Sequence, residues 1–236
     1  MKKILCSLAV LSFLAFSALN ADAQHLYLGA RVGTNLGNQS YNSLPSGFSN
    51  AINSGLLVGA EVDIPFGKTW YLSIQALYDQ KGTNQNLDHA VFTTEDSPEP
   101  IIGSGTSTIN FNYFEVPVLI KAMCGSSAIR PYFFAGPSFG IFLNGSQSTI
   151  VTSTSNGANE TITKYESIST SSVRSPDISA VGGAGIAFIF SSNTMFFADV
   201  SYAYGVTNVA DIQSIDNTVI KSRDIRLGAG ILFPLD

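Results

Sequence analysis

Cysteine is almost missing from this chain of 236 residues: Cys6 and Cys124 are the only two, too few for a disulfide framework. Histidine is equally scarce, with His25 and His89 alone, so no His/Cys cluster offers a zinc site and no metal or other cofactor is expected. Charged residues make up 12% of the chain, about half the usual quarter. That matches neither an ordinary soluble surface nor a disordered segment. Lys and Arg number 12 against 17 Asp and Glu, and an acidic chain argues against a nucleic-acid partner, which requires a basic face. Beyond the first two dozen residues no long apolar run occurs, and a helix needs about 18 such residues to cross a bilayer.

The beginning of the chain has a different character. Lys2 and Lys3 precede an apolar stretch from Ile4 to Leu19, followed by Ala21-Asp22-Ala23. A short positive region, an apolar run and an A-x-A site are the marks of a secretory signal peptide. Residues 1–23 are therefore expected to be removed, leaving 24–236 as one exported domain. Cys6 leaves with the leader, and an exported chain with one cysteine has no internal disulfide. What remains is rich in Gly (21), Phe (14) and Tyr (9). An exported chain with neither disulfides nor spanning helices, and with this composition, points to an outer-membrane β-barrel, the one other structure that satisfies its backbone in lipid.

Alternation with period two supports that reading. In the second segment Leu56, Val58, Ala60, Val62, Ile64 and Phe66 face one way, against Leu57, Gly59, Glu61 and Asp63. Similar patterns begin near 26, 70, 113, 132, 178, 196 and 225, making eight strands of an all-β, antiparallel, up-and-down transmembrane barrel. The connections at Gly67-Lys68, 124–129 and 191–194 are short, whereas 37–53, 82–107, 145–176 and 208–221 are long and are expected to be loops. Short turns on one side and long loops on the other are the habit of outer-membrane barrels, whose chain ends both lie in the periplasm. Phe66, Trp70, Phe133, Phe190, Phe196 and Phe233 at one level, and Tyr78, Phe114 and Tyr204 at the other, suit the two interfacial girdles. Periodicity alone also fits a soluble barrel with these residues inside. Export, loop asymmetry and the girdles favour the membrane.

Eight strands leave an interior that side chains can fill. The inward candidates are five bases (Arg31, Lys81, Lys121, Arg130, Arg226) and six acids (Glu61, Asp63, Asp79, Glu115, Asp177, Asp199), a nearly balanced set. Buried charges are costly unless paired, so a lumen network centred on Arg31, Glu61, Asp63, Glu115, Lys121, Asp199 and Arg226 is expected to plug the barrel. Inward glycines would leave room for Tyr27, Tyr71 and Tyr132 to lie across it.

Half of residues 146–175 are Ser or Thr, with Asn156-Gly157 between two β-branched runs. Asn-Gly in that setting is a strong hairpin signal. Strands five and six are expected to continue as a protruding hairpin carrying Val151, Asn156, Gly157 and Ile162, either a docking edge for a partner strand or a solvated flap. Asp88, Glu95, Asp96 and Glu99 form an acidic stretch without calcium-loop spacing. Gly136-Pro137-Ser138-Phe139-Gly140 matches the nucleophile-elbow letters but sits inside an alternating strand, where that motif needs a strand, a turn and a helix. Gly182-Gly183-Ala184-Gly185 lacks the dinucleotide-loop spacing. No catalytic residue is assigned, and the chain is read as non-enzymatic.

Tyr113-Phe114-Glu115-Val116-Pro117-Val118-Leu119-Ile120-Lys121, with Arg130-Pro131-Tyr132-Phe133-Phe134-Ala135-Gly136 and the later Gly-Ala-Gly-Ile, resembles the PorT-like outer-membrane β-barrel family of Bacteroidetes-type bacteria. The likeness extends from about residue 25 to 236. It implies an eight-stranded barrel in the outer membrane, with Glu115 and Lys121 as structural lumen positions and no catalytic residues. PorT itself takes part in a type IX protein secretion system. The expected partners are therefore outer-membrane lipid and envelope or secretion-complex proteins, and the function is structural or adhesive through the outer loops, or that of an accessory subunit of secretion or envelope assembly. A small passive pore is the weaker alternative.

Overall fold

A computed structural model of the chain describes residues 25–41, 48–94, 97–155, 158–168, 176–190, 193–207 and 220–235. The expected leader and the tip residues Asn156 and Gly157 lie outside them. Nine strands follow in order: β1 (Leu26–Tyr41), β2 (Phe48–Pro65), β3 (Trp70–Thr94), β4 (Ser97–Met123), β5 (Ile129–Ser155), β6 (Ala158–Ile168), β7 (Asp177–Ile189), β8 (Met195–Gly205) and β9 (Ile220–Leu235). Eight of them close an antiparallel ring, because β1 pairs with β2 on one side and with β9 on the other, while β4 pairs β5 and β5 pairs β7. A closed ring leaves no sheet edge within its wall.

The ring has the expected eight strands, and the ninth, β6, stands outside it. β6 pairs with the upper part of β5, from Gly145↔Ile168 to Ser155↔Ala158, whereas β7 pairs with the lower part, from Ile129↔Phe188 to Gly140↔Asp177. Strand six of the sequence reading thus comprises β6 above and β7 below, with residues 169–175 outside the described ones. Its upper piece is an arm of the hairpin standing on the ring.

The expected long loops are corrected in part. β3 and β4 stay paired as far as Thr94↔Ser97, and β4 and β5 as far as Gly103↔Ser153. Residues 82–94 and 97–107 are therefore strand, with Asp88 in β3 and Glu99 in β4, and 145–155 with 158–168 are the two arms of the expected hairpin, while 208–219 lie outside the described residues. Apolar alternation fades where the outer face no longer meets lipid and the inner face mixes polar Thr83 and Ser107 with Leu87 and Val151, so the period that reveals a membrane strand is weak here. Polar side chains support the ladder instead: Asn53 donates to Asn110 at 2.7 Å, Asn112 to Asn144 at 2.6 Å, and Ser107 and Thr149 share a bond of 2.9 Å.

The wall is consequently uneven. β3, β4 and β5 have 25, 27 and 27 residues, against 13 and 11 in β7 and β8. At a rise of about 3.3 Å per residue, β5 runs roughly 90 Å, whereas about 9–11 residues cross a bilayer. At the opposite end the turns are tight. Gly125 takes φ +84° with nothing near a would-be Cβ, so its turn needs the left-handed backbone rather than the space.

The faces divide as the alternation requires. Phe66, Trp70, Phe133, Phe190, Phe196 and Phe233 are exposed on the outside near the turn end, and Phe114 and Tyr204 are exposed higher up. Inside the turn end, Tyr71, Leu119, Met123, Tyr132, Phe134, Met195 and Phe197 form an apolar floor, with Tyr27 packed against it.

Candidate functional site

The inner face gathers its ionisable residues into two clusters, one above the other. Each is built by strand alternation, which aims every second side chain inward.

The first cluster rests on the aromatic floor. Lys121 of β4 places Nζ 2.6 Å from Glu61 Oε1 and 2.6 Å from Asp63 Oδ2. Arg31 of β1 reaches Glu61 Oε2 at 3.0 Å with one nitrogen and Asp199 Oδ1 at 2.8 Å with another. Ser73 and Gln75 donate to the two oxygens of Glu61, and the Tyr132 hydroxyl donates to Asp199 Oδ2 at 2.9 Å. The cations also lie over rings: Arg31 is 5.4 Å from the Phe197 centroid, and Lys121 is 5.2 Å from that of Tyr132. Glycines make room for these rings. A Cβ at position 185 would stand 2.5 Å from Tyr132 Cζ, and one at 183 would stand 2.5 Å from Phe134 Cζ.

The second cluster lies toward the tall end. Arg226 of β9 sits 2.8 Å from both Asp79 Oδ2 and Glu115 Oε2. Lys81 of β3 pairs with Glu115, lies 2.8 Å from Asp177 Oδ2 and 3.9 Å from Asp224 Oδ2. Asn35 donates to Asp79 at 2.8 Å and Ser138 to Glu115 at 3.1 Å. Above it Tyr113 and Phe142 meet edge to face at 5.6 Å, packed against Phe111 and Ile168.

All seven residues expected in the lumen network are inside, and they divide between the clusters. Glu115 and Arg226 belong to the upper one and the other five to the lower. Three further members (Asp79, Lys81, Asp177) were inward candidates. Asp224 was missed, although it stands two residues before Arg226 on the same strand and so shares its face. The expected balance is corrected: Arg31, Lys81, Lys121 and Arg226 face seven acids (Glu61, Asp63, Asp79, Glu115, Asp177, Asp199, Asp224), all with partners or burial inside the ring. Arg130, counted inside before, is only partly buried at a turn and donates to the Ser127 carbonyl at 3.0 Å. Asp224 Oδ2 has no hydrogen-bond donor.

Ser138 is mid-strand and fully buried against Glu115. The carboxylate that accepts its hydroxyl is itself tied to Arg226 and Lys81, and the straight strand around it is not the strand, turn and helix of a nucleophile elbow. Among the described residues no group of His, Cys, Asp and Glu is arranged to hold a metal ion. Of the hairpin residues, Val151 is buried and sits opposite the half-buried Ile162 on the inward side of the extension.

A family model described as an outer membrane protein beta-barrel domain matches residues 20–211, and the chain belongs to that family. It is therefore a protein of the outer membrane, and the apolar outer belt faces lipid. No curated protein matches the sequence. Among solved structures the chain is similar to outer membrane protein OprG from Pseudomonas aeruginosa, at 12% identity and TM-score 0.49 over 90% of this chain and 96% of that one. It is similar also to Neisserial surface protein A, at 11% identity and TM-score 0.45 over 91% and 100%. The attachment invasion locus protein Ail of Yersinia pestis gives 15% identity and TM-score 0.39 over 89% and 100%. Likenesses this distant say nothing about what the chain does.

Proposed function

We propose that this outer-membrane barrel is a non-enzymatic structural or adhesive protein, with a lumen closed by its own side chains and a contact surface formed by the β3–β6 extension. The observation that carries the reading is the contrast along one wall. Inside the lipid belt every inward charge is buried among partners drawn from across the ring. Beyond the belt four adjacent strands continue as a polar sheet. A conduit would need the reverse, an open interior lined by one sign of charge and water.

The chain ends meet at Leu26↔Leu235, at the end with the tight turns. In this reading that end is periplasmic and the tall sheet lies outside the cell. Two measurements test the proposal. Purified protein in a planar bilayer should stay electrically silent, and reproducible single-channel steps would overturn the closed lumen. Cells carrying the intact barrel should adhere to one another or to a surface more strongly than cells carrying a form trimmed of the β5–β6 hairpin. Equal adhesion would overturn the contact role.

A second reading, membership of the PorT-like group and a place in a secretion complex, draws support from one observation. Glu115 and Lys121 of the stretch that carries that resemblance are the hubs of the upper and lower clusters respectively. Unimpaired export of secreted cargo in a deletion strain would remove it.

A further inference from the structure

Among the described residues β6 is a strand with one edge unpaired along its whole length: its single neighbour is β5, and it ends the strand order of the sheet. An exposed edge is a template for another strand, and natural edges are usually blunted by proline or twisted by a bulge. β6 has no proline, and its pairing with β5 runs without a register shift from 145↔168 to 155↔158.

Its sequence specifies what could pair with it. From Ile162 to Ile168 the strand reads Ile-Thr-Lys-Tyr-Glu-Ser-Ile. Turned end for end about Tyr165, it sets Ile162 against Ile168, Thr163 against Ser167 and Lys164 against Glu166, each apolar, hydroxyl or charged residue meeting its complement. Antiparallel neighbours directly opposite one another are the pairs that stabilise a sheet, and opposite charges there attract. A two-residue slide of the axis destroys this. Centred on Thr163 the register opposes Glu160 to Glu166. The three central side chains reach solvent, Tyr165 at 77% exposure and Lys164 and Glu166 at 70% and 49%. In the single chain Lys164 lies 2.6 Å from Glu166, an exchange partner it would keep in kind across the interface.

We propose that β6 pairs antiparallel with β6 of a second copy of this chain, about a two-fold axis through Tyr165. The inference deepens the contact reading above and rests on the tall sheet lying outside the cell. An isologous pair obeys a two-fold axis, and for antiparallel edge strands in one sheet that axis is perpendicular to the sheet. The sheet here is the wall of the barrel, so the axis points outward from the wall, near the membrane plane. Rotation by 180° about it inverts the second barrel. The two copies therefore belong to two facing membranes, and the contact is between cells rather than within one membrane. Among the described residues the neighbouring wall of the ring is the low one, β7 and β8.

The test uses the full mature chain with Cys124→Ser, which removes the exposed cysteine at a turn. Tyr165→Cys on that background should form a disulfide-linked dimer under mild oxidation. Thr161→Cys, four residues from the axis, should not. Without the cysteine probes, Lys164→Glu should weaken dimerisation about tenfold, because a symmetric contact contains the altered pair twice. Glu166→Lys should do the same, and the double variant, which swaps the charges, should restore it. Crosslinking equal at 161 and 165, or a double variant as weak as either single one, overturns the register. Vesicles carrying the protein should cluster with the same charge pattern. Dimers that form without clustering any vesicles overturn the facing-membrane arrangement. A trimmed hairpin that abolishes adhesion while Lys164→Glu and Glu166→Lys each leave it untouched would refute self-pairing yet retain the contact surface.

Discussion

The lower and upper halves of the β3–β5 wall use one set of strands and are held by different means. Within the lipid belt the ring is closed, its outer face is apolar and its inner face is tied by ions buried in two clusters. These clusters draw residues from every strand of the ring: β1, β2, β3, β4, β5 and β8 in the lower, and β1, β3, β4, β5, β7 and β9 in the upper. Above the belt the sheet is carried by the backbone ladder with Asn, Ser and Thr bonds beside it, and its sheltered inner face holds Thr83, Leu87, Ser107 and Val151 without a charge cluster. The difference teaches that a buried ion is indispensable to the ring and marginal to the extension, since removing one partner strands the other without water only where water is excluded.

The sharpest way to break that contrast is to delete one hub. Lys121→Ala leaves Glu61 and Asp63 without their shared cation, and the ring should lose about 3–5 kcal/mol, read as a lower denaturant midpoint for the folded band on an unboiled gel. An unchanged midpoint would mean that water reaches the cluster. Next comes the packing of the floor. Gly185→Ala forces the Tyr132 ring from its place against Asp199, and a loss of about 1–3 kcal/mol is expected by the same assay.

Smaller effects belong to the extension. Replacing residues 146–167 by a short turn should leave the barrel folded and heat-modifiable, because β5–β7 pairing below Gly140↔Asp177 does not involve them. Failure to fold would show that ring and extension are one cooperative unit. Least of all, Lys164→Ala should change stability by no more than about 0.5 kcal/mol, as exposed pairs do. A larger loss would place Lys164 in a dry contact and blur the comparison.

How much of this was legible beforehand follows from the same contrast. Where lipid lies on one side and a packed lumen on the other, alternation prints both faces into the sequence. Leu56 to Phe66 and Glu61 with Asp63 were placed correctly by period alone. Where no lipid lies outside, little selects apolar residues, and the long strands of 82–94 and 97–107 read as a loop. The Asn156-Gly157 signal still announced a hairpin, because a two-residue turn demands special backbone angles whatever the solvent. Asp224 was overlooked because its segment was read only from the apolar residues above 225. Counting back by two from Arg226 would have found it.

The sequence by itself determined the class of the fold, the two faces of each membrane strand and the identity of most inward charges, since these are consequences of local period and solvent. Only the tertiary structure decided which charges meet. Glu115 and Arg226 are 111 residues apart in the chain and 2.8 Å apart in the lumen, because ring closure, and not spacing along the chain, brings β4 and β9 face to face. It decided as well that β6 departs from the ring and keeps an open edge, since strand pairing is settled between segments and no single segment carries its neighbour's register.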